Sequence, residues 1–261
     1  MQMDFTNKTV VITGAAGAIG SAMSRRFAEQ GAAVAVCARG REKGEAVVAQ
    51  ITAAGGKAAF FELDVTDKQQ AITAMRDIAE HFGGIDILIN NAGINVGPDQ
   101  RVPIQEFSDE RWEAILKVDL DGVYHCSKAV IPYIQQQQGG SILNISSVVG
   151  MVPFRKQCAF TAAKAGVINF SKAMALELAP DNIRVNVISP GSIAMDGTKA
   201  LWGKDDVMEA LLSHVPQHRQ GNPDEIAYPA LFLSHESYAS YITGINLNVD
   251  GGWLCGYARD F

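Results

Sequence analysis

Short β-branched and apolar runs alternate with longer stretches of helical periodicity along the whole 261-residue chain. The runs at 8–12, 33–37, 58–63, 85–89, 141–145, 183–188 and 245–249 predict seven strands. Between them, apolar residues recurring at three- and four-residue intervals predict helices over 21–30, 42–54, 67–82, 109–134, 160–178 and 223–233. Breakers mark the ends: Gly55-Gly56 closes the second helix, Ala179-Pro180 closes the one from Phe160, and Gln135 to Gln138 fray toward Gly139-Gly140. Neither a linker nor a repeat interrupts the alternation. The pattern therefore predicts one α/β domain over 1–261, a doubly wound seven-stranded parallel sheet with helices on both faces.

The first strand enters Thr13-Gly14-Ala15-Ala16-Gly17-Ala18-Ile19-Gly20, and a helix follows. Strand, glycine-rich turn and helix in that order form the context of a phosphate-binding loop. Glycines admit a pyrophosphate close to the backbone, and the helix start offers free N–H groups. The reading is a Rossmann-type dinucleotide site. Past the second strand, a carboxylate would bind the free ribose hydroxyl of NAD, whereas an arginine suits the 2′-phosphate of NADP. Ala38 and Arg39 stand there, with Arg41 nearby, so NADP is favoured and NAD stays open. The third strand runs into Asp64-Val65; Asp64 is read either as an acceptor for an adenine amino group or as the cap of the next helix. Asn90-Asn91-Ala92-Gly93 ends the fourth strand, where the asparagines can bond neighbouring strands or a cofactor ribose. The loose segment from about 192 to 220, at the ligand end of the sheet, reads as a substrate lid containing Trp202.

Charge narrows the partners. With 22 basic against 28 acidic residues, net −6 and mixed along the chain, no nucleic-acid footprint is expected. Four separated cysteines form no Cys-x-x-Cys pair, and His214 and His218 lack spaced partners, so no metal is expected. No apolar run nears the ~20 residues that span a bilayer. A cytoplasmic protein acting on a small molecule, without membrane or nucleic-acid partners, is the expectation.

The chemistry concentrates between Asn144 and Lys164. Ser147 follows an apolar strand, Phe160 comes thirteen residues later, and Lys164 lies one helical turn beyond it on the same side. A tyrosine at 160 would complete a proton-transfer device, because an adjacent ammonium stabilises a phenolate. Phenylalanine has no proton to give.

Together these residues resemble the classical short-chain dehydrogenases/reductases over nearly the whole chain. The likeness rests on Thr13-Gly-x-x-x-Gly-x-Gly20, Asp64, Asn90-Asn91-Ala92-Gly93, Ser147, Lys164 and Pro190-Gly191. It implies that Ser147 polarises the substrate oxygen, that Lys164 binds the nicotinamide ribose, and that Phe160 occupies the place of the acid/base tyrosine. Gly14, Gly17, Ile19 and Gly20 would hold the pyrophosphate. Asp64, Val65, Asn91, Ala92 and Gly93 would line the adenosine and ribose, and Pro190, Gly191 and Ile193 the carboxamide. Asp119 stands where many relatives carry a helix asparagine that supports a proton relay, and Met195 where a threonine is frequent. Arg155, Lys156 and Gln157 would rim the pocket, suiting a polar substrate such as a sugar, polyol or gluconate-like acid. The implied reaction is NAD(P)-dependent interconversion of an alcohol and a ketone, by a homotetramer, with this Phe160 chain nearly inactive. Two origins of Phe160 stand open: a Tyr→Phe substitution that holds an unreacted complex, favoured by the intact Ser147 and Lys164, or a natural change. A 3-oxoacyl or other carbonyl reductase and a catalytically dead nucleotide-binding regulator are the alternatives.

Overall fold

The computed structural model describes residues 3–97, 100–194 and 205–256, and the side chains of 205–207 are not described. Seven parallel strands lie in the order β3-β2-β1-β4-β5-β6-β7. They are β1 (Thr9–Thr13), β2 (Ala33–Ala38), β3 (Lys57–Glu62), β4 (Ile87–Asn90), β5 (Gly140–Ile145), β6 (Ile183–Pro190) and β7 (Asn246–Val249). Chain order reverses between β1 and β4, and the crevice at such a switch point is where doubly wound sheets bind ligands.

Among the described residues, eight helices surround the sheet: α1 (Ala18–Glu29), α2 (Arg41–Ala53), α3 (Lys68–Phe82), α4 (Asp109–Leu116), α5 (Gly122–Gln136), α6 (Cys158–Leu178), α7 (Asp205–Leu212) and α8 (Asp224–Ser234). Alternate strand residues feed two cores. Val10, Ile12, Val34, Val36, Ile89 and Leu143 meet α1, α2 and α8 on one face. Val11, Ala35, Leu88, Ile142 and Val185 meet α3, α5 and α6 on the other. Strands apolar on both sides are what a sheet covered on both faces requires. A third cluster of Val96, Ile115, Ala159 and Ala163, with Phe160 against it, lies beside the catalytic stretch.

Two sequence expectations are corrected. The segment expected as one helix over 109–134 is broken by a π-helical turn, Lys117–Asp121, between α4 and α5. Helical periodicity cannot register one extra residue in a turn, and such bulges often mark functional positions. Asp64 does not cap α3: that cap is Asp67, whose side chain accepts from the Gln69 and Gln70 N–H groups. Asp64 instead accepts from the N–H and hydroxyl of Thr66 at 2.9 and 2.8 Å.

Polar side chains tie the sheet centre to its helices. Asn90 donates to Ser127 Oγ (3.0 Å) and Asn144 Oδ1 (2.8 Å), and Asn144 donates to Ser171 Oγ (2.8 Å). All four are buried. Asn90→Ala strands the Asn144 carbonyl, and the loss expected from one unsatisfied buried group is about 1–3 kcal/mol, read as a lower urea midpoint. An unchanged midpoint contradicts the assignment.

Candidate functional site

The site is built where β1, β4, β5 and β6 end. Gly14 sits at φ +62°, and a Cβ there would stand 2.8 Å from the Ala92 Cα. The same close approach lets Asn91 donate to the Thr13 and Gly14 carbonyls, both at 3.1 Å, while Thr13 Oγ1 accepts from the Asn91 and Ala92 N–H groups. The Asn91 amide nitrogen is thus spent on structure, joining the glycine loop to the end of β4. A Cβ on Gly20 would fall 2.7 Å from the Ala15 Cα, so only glycine lets α1 pack into the loop. Helix α1 opens at Gly17 with no capping side chain and no acid in its first turn. A helix start left in this state favours an anion, and the residues present fit the pyrophosphate of a dinucleotide.

Past β2, Arg39 is exposed and makes no ion pair among the described residues. Arg41 differs: it pairs with Glu45 at 3.0 Å and lies over the Phe60 ring. Partial burial opposes ionisation of Asp64, yet the two Thr66 bonds and the charge of Arg39 hold its carboxyl below the usual carboxylate range. Val65 is buried beside Gly122, and its carbonyl faces His125 Nδ1 at 3.0 Å.

Ser147 follows β5 and caps the 3-10 turn Val148–Gly150, accepting from the Val149 N–H at 3.4 Å. Two contacts clamp that turn onto α6. Ser146 Oγ donates to the Lys164 carbonyl at 2.8 Å, and a Cβ on Gly150 would lie 2.8 Å from the Lys164 carbonyl carbon. Lys164 is itself buried, with Nζ donating to the Ile145 carbonyl at 3.1 Å and standing 5.6 Å from the centre of the Phe160 ring. Opposite it, 3.1 Å away, is Asp119 Oδ2, carried by the π turn, whose Oδ1 accepts from the Ile94 N–H at 2.8 Å. Burial pushes the Asp119 carboxyl above the usual carboxylate range, opposed by the Lys164 ammonium and the Ile94 N–H. Gly93 borders both groups: a Cβ there would meet Asp119 Oδ2 at 3.1 Å and Lys164 Nζ at 3.3 Å. Gly14, Asn91, Gly93, Lys164, Asp119 and the end of β5 are therefore linked by direct contacts.

Other predicted residues fall elsewhere. Gln157, expected at the rim of the pocket, is buried, with its side-chain carbonyl accepting from the Asn95 amide at 2.9 Å. Gln157 immediately precedes α6 and turns inward to meet Asn95, whereas Arg155 stays exposed. Trp202 and Met195 lie outside the described residues, as does the lid between 195 and 204. The ends of the segment expected to form a lid are described, and a bridge between Ile193 and Gly221 ties them together, with the Ala194 N–H bonded to the Gly221 carbonyl and the Gly221 N–H to the Ser192 carbonyl. The N–H and C=O of Ile193 itself take no part in this bridge. A Cβ on Gly191 would press 2.8 Å from the Asp250 Cα, so Pro190-Gly191 also serves the packing of β6 against β7.

Sequence reasoning missed Asn95 and a stacked pair, Phe154 on Trp253, whose ring centres are 5.0 Å apart. Both depend on contacts between distant segments, and no local pattern marks them. A cavity of about 330 Å³ bordered by Ser192, Val215, Gln217, Arg219 and Asp250 excludes Ser147, Phe160 and Lys164. It adjoins the bridge between Ile193 and Gly221.

A parallel sheet with a glycine loop at its switch point, a serine just past β5 and a lysine reaching the end of β5 from α6 defines a nucleotide-dependent oxidoreductase architecture. A family model described as enoyl-(acyl carrier protein) reductase matches residues 14–254. The chain is 38% identical over 250 residues to the 3-oxoacyl-[acyl-carrier-protein] reductase FabG of Thermotoga maritima, covering 96% of this chain and 99% of that one. It is 40% identical over 249 residues to the 2,5-dichloro-2,5-cyclohexadiene-1,4-diol dehydrogenase LinX of Sphingobium indicum, covering 95% and 97%. A solved structure from Sinorhizobium meliloti, assigned as a short-chain alcohol dehydrogenase, superposes with a TM-score of 0.92 at 32% identity, covering 98% of this chain and all of that one. The chain belongs to the short-chain dehydrogenase/reductase family.

The crowding at Gly20 gives a direct check. Gly20→Ala forces the glycine loop off its path, and NADP affinity by calorimetric titration is expected to fall about tenfold or more, equivalent to about 1.4 kcal/mol. Undiminished affinity removes this loop from the nucleotide site.

Proposed function

We propose that this fold carries an NAD(P)-dependent oxidoreductase site that interconverts a secondary alcohol and a ketone, and that the Phe160 chain turns over very slowly. The observation behind the reading is the contact chain from Gly14 through Gly93 to Lys164, with Ser147 clamped beside it and a ring without a hydroxyl at 160. A nicotinamide dinucleotide bound there supplies the hydride acceptor or donor. Gly14, Gly17, Ile19 and Gly20 hold its pyrophosphate, and Arg39, placed past β2, selects the 2′-phosphate of NADP over NAD. Asp64, Val65, Asn91 and Ala92 line the adenosine and ribose, Lys164 holds the nicotinamide ribose, and Pro190, Gly191 and Ile193 seat the carboxamide. Ser147 donates to the substrate oxygen. No hydroxyl at 160 receives or delivers the proton, and loss of a positioned acid/base costs about 10²–10⁴ in rate.

For the substrate, we take a small polyhydroxy compound, held by Arg155 and by the Gln157–Asn95 pair, whose Gln157 amide retains donors for a ligand. Trp202 is assigned to the lid. The likeness to a diol dehydrogenase supports a hydroxylated ring, and the stacked Phe154 and Trp253 offer a flat wall. A second reading, reduction of a 3-oxoacyl group, draws on the 38% identity to the reductase of Thermotoga maritima. The exposed Leu176 and Tyr241 suit assembly of several copies, for which a homotetramer is proposed.

Restoring the hydroxyl tests the reading. Phe160→Tyr is expected to raise NADP-linked turnover of a panel of cyclic diols, polyols, sugar acids and 3-oxoacyl thioesters by about 10²–10⁴ at its best pH. No gain on any of them refutes the dehydrogenase assignment and favours a nucleotide-binding regulator. Arg39→Asp is expected to move the ratio of kcat/KM values toward NAD; an unchanged ratio overturns the role given to Arg39.

A further inference from the structure

The partner of Lys164 in this chain is a carboxylate. The Lys164 and Asp119 side chains are 6% and 0% exposed and approach to 3.1 Å. Each is held independently of the other. The Ile145 carbonyl anchors the ammonium, and the Ile94 N–H anchors Asp119 Oδ1 from the opposite side. The π turn Lys117–Asp121 places Asp119 inward while Lys117 and Asp121 face solvent. Oδ2 accepts no aligned hydrogen bond among the described residues, so its contact with Nζ is chiefly electrostatic.

A lone ammonium beside position 160 stabilises an oxyanion there and lowers a hydroxyl's pKa. An ammonium paired with a carboxylate presents a nearly neutral dipole, and the carboxylate adds a like charge that disfavours a phenolate. Phenylalanine needs no such field. Moreover, a buried ammonium facing a carbonyl and an apolar ring is costly without a counter-charge. Phe160 and Asp119 therefore suit each other: with no hydroxyl at 160, the carboxylate stands as a polar partner of Lys164.

We propose that Asp119 is a positioning residue that neutralises Lys164 and fits the site to phenylalanine at 160, so that a hydroxyl restored there titrates at abnormally high pH while Asp119 remains. This rests on the oxidoreductase reading for its place in the reaction, but its electrostatic content is independent of turnover. Among the described residues, the groups facing the pair are few. From α6 there are Lys164 and the uncharged Phe160; from the end of β5, Ile145, Ser146 and Ser147; from the β4 loop, Asn90 to Ile94, none of them charged; on α4 and the π turn, Asp109, Glu110, Arg111, Glu113, Lys117 and Asp121 are all exposed, and on α5 His125 faces the Val65 carbonyl and Lys128 donates to Tyr124. Among the described residues, Lys164 is the one charged side chain that acts on Asp119. Alcohol oxidation needs the deprotonated base, so its rate rises with pH through the phenol pKa. A neighbouring carboxylate raises that pKa and shifts the rising limb to higher pH, and removing the carboxylate's charge shifts it back down.

The test compares Phe160→Tyr with Phe160→Tyr/Asp119→Asn. Asparagine keeps the acceptor for the Ile94 N–H and removes only the charge. Tyrosinate absorbance, taken as a difference against the matching Phe160 protein, reads the phenol without substrate or cofactor. The expected result is ionisation about one pH unit or more lower in the Phe160→Tyr/Asp119→Asn protein, with the rising limb of NADP-linked oxidation of a vicinal cyclohexanediol moving the same way. Coincident titrations overturn the proposal. Should Asp119→Asn fail to fold, Asp119→Leu with Lys164→Met removes both charges together, a replacement buried ion pairs commonly tolerate. The phenol is then expected to titrate within about half a unit of its position in Phe160→Tyr alone, as a neutral pair requires. A clear upward shift shows that the Lys164 charge was felt at position 160 and overturns the proposal. A Phe160→Tyr protein without turnover at any pH refutes the oxidoreductase reading, whereas the phenol titration still decides the role of Asp119.

Discussion

Everything at the ligand edge depends on how tightly β4 is held between β1 and β5. Backbone pairing alone would leave its C-terminal end free to shift. Asn90 prevents this by bonding sideways to Asn144 on β5 and upward to Ser127 on α5, and Asn91 reaches the other way to the carbonyls of the glycine loop. Bonds donated by buried amide nitrogens are expensive to break. With them in place, Gly93 is delivered against Lys164 and Asp119, and the loop of Gly14 is delivered against Ala92. The asparagine turn is thus a structural hinge point before it is a ligand contact.

From that framework the chemistry separates into two parts. The half proposed for the nucleotide is largely backbone, an uncapped helix start and glycines that tolerate no Cβ, with the Arg39 side chain just past β2. The proton half is made of side chains, and on the proposed reading two of them have changed. Phe160 keeps the ring that packs with Val96, Ile115 and Ala163 while lacking a hydroxyl. Asp119 sets a carboxylate 3.1 Å from the buried Lys164 ammonium. The substrate contacts proposed for the Asn95–Gln157 pair and for Phe154 and Trp253 bring together residues far apart in sequence.

The sheet, its order of elements and the glycine loop were legible because each has a local signature: β-branched runs, helical periodicity, glycines in fixed sequence. Ser147 and Lys164 were legible through their spacing to Phe160. What local pattern could not show is where side chains from different segments meet. The π turn adds a residue without disturbing apolar spacing, so the region from Asp109 to Ile134 read as one helix. The inward turn of Gln157 depends on Asn95, sixty-two residues earlier. The intact neighbours of Phe160 suggested an otherwise unaltered site, yet the Asp119–Lys164 distance shows the lysine in a pairing that the sequence did not reveal.

The central claim is that this chain assembles a complete dinucleotide site around an incomplete proton-transfer device. It is tested most directly by titrating NADPH into the unsubstituted protein by calorimetry, then following nicotinamide absorbance on the same sample after adding the substrate panel. The account predicts saturable binding, tighter for NADPH than for NADH, with almost no consumption of the nicotinamide. Absence of binding by either dinucleotide, or rapid turnover with Phe160 in place, would contradict it.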